Sequence, residues 1–375
     1  MKPLSAATYI KSNLKKVFPS FICSIISVFL IYIFGLILYG SISSFNCLSV
    51  NLVKNATYVR SNNNKPISER IMKEIKSDDN VYNIIPLLNT SNHMTYKAAF
   101  GNMGVDFYNL YSEDVENVIK NFNNELTEGR IPKDNAGELL LPIELAKQYK
   151  LKVGDVIDNS TNSDNIHVSK TYKIVGITKG SAWMPIVCDV EETKREDSLK
   201  SGVILFLKDS GNMSINEKIT GMKDKNIVVQ EYKSIKEAMD SLIIGINILY
   251  CALSIIILIV LCLSLGNLNY ITFLNRKNEF AVLATIGLWK SKLRIRLLKE
   301  NTFICFMGFG VGALLTTLVI MLLNITVLNP KGQYIPIFRF DSLLVAFIIP
   351  VIVAILSMLS SIKEFNRLSC DSLNI

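Results

Sequence analysis

Residues 276–300 read RKNEFAVLATIGLWKSKLRIRLLKE, and this charged segment stands between two apolar runs that are each long enough to cross a bilayer. Read as helix, its first half places Phe280, Leu283 and Ile286 along one apolar face. Gly287 then interrupts the pattern, at a point where the chain can turn without a Cβ penalty. The second half repeats leucines among basic residues, so the sequence predicts a basic hairpin of two short helices on one membrane face.

Four apolar segments have the length and composition of membrane spans. Each reaches the ~20 residues that ~30 Å of hydrocarbon requires, and none contains Asp, Glu, Lys or Arg. They are Val17–Leu38, about Ile243–Leu265, Thr302–Leu323 and Ser342–Ile362. Half of the 375 residues are apolar and the mean hydropathy is +0.32, which excludes an ordinary soluble enzyme.

The distribution of basic residues predicts the orientation of these spans. Lysines and arginines cluster at both termini and in the segment 276–300, which holds seven of them. Because positive residues near span ends stay cytoplasmic, both termini and the basic hairpin are predicted inside, and the long segment between the first two spans outside. The net charge of +8 therefore needs no nucleic-acid partner to explain it.

The long external segment has the pattern of an α+β domain. Helices are predicted after Ser68 and over Val115–Leu126, and a capping box at Ser234 with Glu237 is predicted to begin a helix that runs into the second span. The predicted strands are Val81–Leu88, Lys97–Val105, Lys173–Ile177, Gly202–Leu207 and Asn226–Tyr232. The predicted fold class is an α-helical membrane protein with four transmembrane helices and an inserted α+β extracellular domain.

Two motifs resemble one family of transporters. The basic hairpin is similar to the cytoplasmic segment of MacB/FtsX-type ABC transporter permeases, the type VII mechanotransmission family, in the order Arg-x-x-Glu-apolar-x-apolar-Leu-x-x-apolar-Gly. The matching residues are Arg276, Glu279, Phe280, Val282, Leu283, Ile286, Gly287, Leu293 and Glu300. The external stretch 129–157, which begins at Gly129-Arg130 and includes a Leu-x-Val-Gly-Asp turn at 151–155, is similar to the extracellular core of MacB-type permeases.

This resemblance implies a function and partners. The chain is expected to be a permease subunit that is not itself an enzyme and binds no cofactor, with ATP and magnesium held by a separate ABC ATPase present in two copies. A second permease chain, identical or different, would complete the complex, and peptides, antimicrobial peptides or lipid-linked compounds would be the substrates. The residues expected to contact the ATPase are Arg276, Glu279, Phe280, Leu283, Ile286, Gly287, Leu293 and Arg294.

The resemblance and the span pattern together divide the chain and place it in a bacterial plasma membrane. The predicted parts are 1–54 (cytoplasmic N-terminal helix, first span and stalk), 55–240 (extracellular α+β domain), 241–270 (stalk and second span), 271–301 (cytoplasmic coupling hairpin), 302–328 (third span), 329–341 (external loop), 342–362 (fourth span) and 363–375 (cytoplasmic tail). Two alternatives stay open: an FtsX-like activator of a cell-wall hydrolase, and a membrane sensor that works without an ATPase.

Other kinds of chemistry have no motif in the sequence. No Gly-x-x-x-x-Gly-Lys-Ser/Thr loop is present to hold nucleotide phosphates. The two histidines, His93 and His167, stand far apart in sequence and are predicted to be surface residues rather than metal ligands. Cys47 and Cys188 are the only cysteines predicted on the extracellular side of the membrane, and whether they pair is left open.

Overall fold

The computed structural model describes residues 14–62, 65–161, 164–190, 195–208, 214–222, 224–275, 282, 290–348, 350–352 and 355. The chain divides into two compact units. The helical unit comprises Met1–Leu38, Ile246–Leu323 and Ile335–Ile375, and the α+β unit comprises Tyr39–Gly245 and Asn324–Tyr334. Two long helices begin in one unit and end in the other.

Helices occur in both units. They are α1 (Leu14–Leu48), α2 (Val50–Val53), α3 (Glu69–Ser77), α4 (Ser112–Asn121), α5 (Ile143–Tyr149), α6 (Arg195–Ser198), α7 (Ser214–Gly221), α8 (Tyr232–Asn275), α9 (Lys290–Leu323) and the shorter α10 (Phe340–Ile352). A π-helical turn, Asn324–Leu328, and a 3-10 turn, Asn329–Lys331, follow α9 directly.

The described strands all belong to the α+β unit. They are β1 (Ala56–Ser61), β2 (Val81–Pro86), β3 (His93–Lys97), β4 (Asn102–Asp106), β5 (Tyr108–Asn109), β6 (Asn124–Gly129), β7 (Glu138–Pro142), β8 (Val156–Ile157), β9 (Ile166–His167), β10 (Tyr172–Gly180), β11 (Ile186–Val187), β12 (Gly202–Leu207) and β13 (Ile227–Gln230). They form three sheets, which confirms the predicted α+β class.

The first sheet has the order β13-β1-β12-β2, and all its pairings are antiparallel. Its central strand β12 reads GVILFL and is buried along its whole length, as a continuous apolar run predicts for a strand covered on both faces. Val203 and Leu205 pack with α3 and α7, whereas Ile204 and Phe206 pack with α4. This strand therefore anchors two layers of helix.

The second sheet has the order β5-β11-β7-β10-β6, with β8 paired to the start of β10. Leu139 and Leu141 of β7 face one core with Leu145 of α5, and Leu140 faces the other core with α4. The third sheet is β4-β3-β9. The predicted strand Lys97–Val105 is correct only for its second part, because residues 102–105 belong to β4 whereas residues 98–101 form the turn of the β3–β4 hairpin, in which Gly101 has φ +93°.

The predicted end of α4 and the predicted start of α8 are also wrong. The predicted helix Val115–Leu126 ends at Asn121, because Asn123 adopts a positive φ of 51° and β6 begins at Asn124. The capping box at Ser234 does not begin α8, which starts two residues earlier, at Tyr232. The Ser234 hydroxyl instead donates to the Glu231 carbonyl at 3.1 Å, as a serine inside the first turn does.

Three helices of the described chain have the length and apolarity to cross a membrane, Val17–Val53, Tyr232–Ser264 and Lys299–Lys331. They contain the first three predicted spans. The fourth predicted span, Ser342–Ile362, is represented by α10, and most of its residues beyond Ile352 lie outside the described residues. The structure thus shows apolar helices of span length at three of the predicted positions, and the count of four spans stays a prediction.

Candidate functional site

The predicted ATPase contact falls largely outside the described residues. Arg276, Glu279, Phe280, Leu283, Ile286 and Gly287 belong to that part of the chain, while Leu293 and Arg294 lie on the described backbone of α9 without described side chains. The structure does describe both flanks of this segment. The 44-residue helix α8 ends at Asn275, and the 34-residue helix α9 begins at Lys290. Helix α8 therefore ends directly before the basic segment, and residues 290–300 of the segment form the start of α9.

Within the helical unit, α1 and α9 pack closely through glycines. A Cβ atom on Gly308 would lie 2.5 Å from Ser24 Oγ, and one on Gly312 would lie 2.9 Å from the carbonyl oxygen of Ile25, whereas one on Gly310 would meet nothing within 4 Å. Two of these three glycines therefore lie where α1 and α9 approach closely, as small residues between membrane helices allow. The Ser24 hydroxyl also donates to the Cys305 carbonyl at 3.4 Å.

A second close contact joins α1 to α8 and α10. A Cβ atom on Gly35 would lie 2.8 Å from the Tyr250 hydroxyl and 2.9 Å from Ser342 Oγ. The Tyr250 hydroxyl donates to the Ile31 carbonyl at 3.2 Å, which satisfies a polar group that would be costly to leave unpaired in an apolar unit. These contacts make α1 the central helix among the described helices of this unit.

The motif at 129–157 and the strand predicted at Lys173–Ile177 pack against each other. Gly129 has φ +77°, and a Cβ atom there would lie 2.1 Å from the Val175 carbonyl oxygen. A Cβ atom on Gly176 would lie 2.4 Å from the Arg130 carbonyl oxygen. Both glycines are needed where β6 and β10 approach each other, so this motif is structural in the α+β unit.

Arg130 and Glu138 close the same corner with a two-pronged ion pair. Arg130 Nη1 donates to Glu138 Oε2 at 2.7 Å, and Nη2 donates to Oε1. This guanidinium holds the pKa of the Glu138 carboxyl below its usual range, and the Lys133 backbone N–H acts in the same direction. The pair fixes the start of β7 against the loop after β6.

A polar cleft of about 700 Å³ opens on the α+β unit, and it includes Asn92, Asn109 and Asp189. Its polar groups largely bind one another. Asn109 accepts from the Asp189 N–H at 2.8 Å and donates to the Asp189 carbonyl at 2.9 Å, and Lys170 pairs with the Asp189 carboxylate at 2.5 Å. Asn92 donates to the Tyr172 hydroxyl at 2.7 Å. Because these groups are already paired, the cleft is better explained as a stabilised surface than as a ligand site.

The two histidines lie side by side. His93 of β3 and His167 of β9 are direct cross-strand partners, and their ring centroids are 4.6 Å apart. Sequence separation could not show this, because the register of β9 on β3 decides it. Among the residues the structure describes, no group of three or more His, Cys, Asp or Glu side chains has the arrangement of a metal site.

The possible pairing of Cys47 with Cys188 does not occur, because both residues are free thiols.

Sequence reasoning also missed one partly buried acid with a shielded oxygen atom. Glu144 lies in the first turn of α5, and its Oε2 atom is buried without a hydrogen-bond partner in the described part of the chain. Burial raises the pKa of this carboxyl to about 7, against the opposing effects of its own backbone N–H, Lys147 and Lys179. Its only signal in the sequence is a single acid inside the otherwise apolar run LLLPIELA at 139–146.

Comparisons with known proteins find a family match over part of the chain. Residues 251–369 match the family model described as FtsX-like permease C-terminal, which confirms the predicted resemblance to MacB/FtsX-type permeases. No curated protein matches the chain. Among solved structures, the periplasmic region of MacB from Actinobacillus actinomycetemcomitans is similar at 8% identity and a TM-score of 0.28, over 51% of this chain and 95% of that one. The extracellular domain of the noncanonic ABC-type transporter YknZ from Gram-positive bacteria is similar at 12% identity and a TM-score of 0.26, over 47% of this chain and 100% of that one.

Proposed function

We propose a function from the premise that residues 251–369 of this chain belong to the FtsX-like permease family of ABC transporter permeases. The chain acts as the membrane subunit of a complex whose ATP hydrolysis takes place in a separate ATPase subunit. Two ATPase subunits bind a pair of permeases, and the basic segment 276–300 is the surface they contact. The family match carries this proposal, since it covers the whole of that segment.

The mechanism we propose is mechanical transmission rather than passage through the spans. Helix α8 begins at Tyr232, two residues after β13 ends at Gln230, and runs without interruption to Asn275. At 1.5 Å per residue such a helix is about 66 Å long. A helix attached to a sheet at one end and to the basic segment at the other supports the transfer of a displacement from the ATPase to the α+β unit.

The composition of the spans supports an external source of energy. The first three predicted spans contain no ionisable Asp, Glu, Lys or Arg, whereas an ion-coupled carrier normally holds such groups at a cost of ~2.5 to 3.5 kcal/mol each. Movement of the α+β unit outside the membrane would then act on peptides or on lipid-linked compounds at the outer leaflet. This substrate class follows from the MacB-like reading and is part of the proposal.

Substitution in the basic segment tests the proposed contact. Glu279→Gln and Gly287→Leu should each reduce co-purification of the ATPase about tenfold or more and abolish stimulation of ATP hydrolysis by the permease, because a docking surface loses a charged contact or its turn. Glu217→Gln, an exposed acid on α7 of the α+β unit, is the matched control. Unchanged assembly and unchanged stimulation in both test variants would remove the proposed contact.

Two other readings predict different results in simple assays. If the complex activates a cell-wall hydrolase, the full chain should retain that hydrolase in a pull-down, and a transport assay should show no substrate movement. If the chain is a sensor without an ATPase, no phosphate-loop ATPase should bind it and none should be encoded beside it. Binding of such an ATPase to the purified chain distinguishes our proposal from the sensor.

A further inference from the structure

A second cavity lies within the α+β unit, with a volume of about 270 Å³. Three parts of the chain that are distant in sequence line it: the end of α1 at Gly40–Cys47, the start of α5 at Ile143–Lys147, and the turn Asn329–Tyr334. Trp183 completes the lining. This volume suits a lysine-sized chain rather than a folded peptide.

The walls of this cavity are held in place by hydrogen bonds and close contacts. The Tyr96 hydroxyl donates to the Gly332 carbonyl at 3.2 Å and lies 3.4 Å from Ser44 Oγ. The Trp183 backbone N–H donates to the Cys47 carbonyl at 3.0 Å. Gly332 has φ +63°, and a Cβ atom there would lie 1.9 Å from the Glu144 carbonyl oxygen. The turn can therefore approach α5 this closely only with glycine at 332.

Glu144 gives the cavity its chemical character. Its Oε2 atom is shielded from solvent and makes no hydrogen bond, and no ion pair to its carboxylate occurs among the described residues. A shielded carboxylate oxygen without a partner is unfavourable, and either a bound proton or a bound cation would reduce that cost. Since the carboxyl has a pKa of about 7, it can supply a negative charge near neutral pH.

The remaining lining groups suit a positively charged ligand rather than an anion. Trp183 is 8% exposed and forms an aromatic wall, and aromatic faces attract ammonium groups. Ser43, Ser44 and Gln333 add oxygen atoms that can accept hydrogen bonds. Lys147 also lines the cavity, and Lys179 lies near enough to lower the pKa of Glu144, but both lysines are exposed and neither forms a salt bridge with this carboxylate among the described residues.

We propose that this cavity binds a primary ammonium group, with the Glu144 carboxylate as its counter-ion and Trp183 as an aromatic wall. The ligand chemistry is an alkylammonium of lysine side-chain size, which occurs both in basic peptides and in lipid headgroups with a primary amine. This inference goes beyond the proposed function, because binding needs neither the ATPase nor the segment 276–300. Its failure would leave the ATPase contact untouched.

Ligand titration of the purified full chain tests the site. In a Trp289→Phe background Trp183 is the only tryptophan, so its fluorescence reports the cavity directly. We expect a saturable change with n-pentylammonium and at least about tenfold weaker binding of n-pentanol, which has the same chain without the charge. Equal binding of the amine and the alcohol would overturn the proposal.

Variants locate the counter-ion. Glu144→Gln keeps the shape of the side chain and should weaken n-pentylammonium about tenfold or more, whereas Glu128→Gln, an exposed acid on β6, should bind like the parent chain. Lys147→Ala should tighten the binding of n-pentylammonium, because the substitution removes a cation that competes for the Glu144 carboxylate. Retained affinity in a folded Glu144→Gln chain would contradict the proposal.

The pH dependence of the parent chain provides a test that needs no variant at Glu144. The titratable or charged groups that face this carboxyl are Lys147 on α5, Lys179 on β10, Cys47 on α1 and Tyr96 on β3. An alkylammonium stays charged up to about pH 10, so its affinity should rise at least about tenfold from pH 5.5 to 8.5 as Glu144 ionises. A flat profile would exclude Glu144 as the counter-ion.

Competition identifies the source of the ammonium group. The chain is placed in nanodiscs of phosphatidylethanolamine or of phosphatidylcholine, and n-pentylammonium is titrated in each. Weaker probe binding in phosphatidylethanolamine alone assigns the site to a lipid headgroup. Displacement of the probe in phosphatidylcholine by a lysine dipeptide, but not by its norleucine counterpart, assigns it to a peptide. Failure of both competitors would reject both natural sources and with them the proposed role.

Discussion

Glu144 is the residue whose environment differs most from what its position in the sequence suggests. It occupies the first turn of a seven-residue helix, where an acid is favourable. The approach of the turn at Gly332 and the end of α1 encloses it, and burial then opposes its charge. A folded protein that keeps such a group gives up stability at neutral pH, which is typical of a binding site.

Glu144→Gln should therefore stabilise the chain at high pH and not at low pH. The folded pKa of about 7 lies above the usual value of 4.5, so the folded chain holds a proton that the unfolded chain has released between these two values. The free energy of unfolding of the parent chain then falls as pH rises through this window and stays lower above it. The Glu144→Gln variant has no carboxyl to ionise, so its free energy of unfolding should exceed that of the parent chain above pH 7 by on the order of 2 kcal/mol.

The measurement is the thermal unfolding midpoint of the purified full chain in detergent between pH 5 and 8.5. Parent and Glu144→Gln chains should melt together at pH 5 and separate as the pH rises. Glu128→Gln, which changes an exposed acid, should follow the parent throughout. A Glu144→Gln chain that melts below the parent at pH 8.5 would show that the ionised carboxylate has a partner.

At the scale of elements, the helical unit depends on where its glycines face. Gly308 and Gly312 are four residues apart on α9 and both contact α1, while Gly310 is rotated away from that face and is open. Helices in lipid associate through packing rather than through the hydrophobic effect, so a single Cβ at the contact matters. The same change at Gly310 should be tolerated, and alanine favours a helix over glycine by about 1 kcal/mol.

Gly308→Ala should lower the thermal unfolding midpoint of the full chain, since its Cβ atom would lie 2.5 Å from Ser24 Oγ. The expected loss is about 1–3 kcal/mol, as for overpacking of a close-packed contact. Gly310→Ala is the matched control and should leave the midpoint unchanged or slightly raised. Ser24→Gly combined with Gly308→Ala should recover most of the loss, and no recovery would show that α1 does not make this contact.

At the scale of the whole molecule, the distribution of basic residues predicts on which side of the membrane each segment lies. The basic segment 276–300 is predicted in the cytoplasm and the α+β unit outside, and the proposed mechanism requires both. A cysteine introduced at Lys152, an exposed position after α5, should react with an impermeant maleimide in intact cells. A cysteine at Lys292 should react only after the cells are permeabilised. The reverse pattern would place the α+β unit in the cytosol and would overturn the proposed function.

Several features were predictable because they depend on neighbours along the chain. The three long helices are apolar runs whose length alone predicts a span, and β12 is a continuous apolar stretch that forms a buried strand. The β3–β4 hairpin was not predicted, because the apolar pattern of Lys97–Val105 conceals the turn at Gly101. For the ATPase contact the sequence motif stands as a prediction, since most of its residues lie outside the described chain.

The sequence by itself determined three apolar helices of span length and the α+β character of the segment between the first two, because hydropathy and strand periodicity are set by residues that are near one another in sequence. Only the tertiary structure decided that His93 meets His167, that Gly308 faces Ser24, and that Glu144 lines a cavity with Trp183. Each of these depends on the register or approach of segments that are distant in sequence. No local pattern encodes such a distance, which is why the binding site proposed here had to be found in the fold.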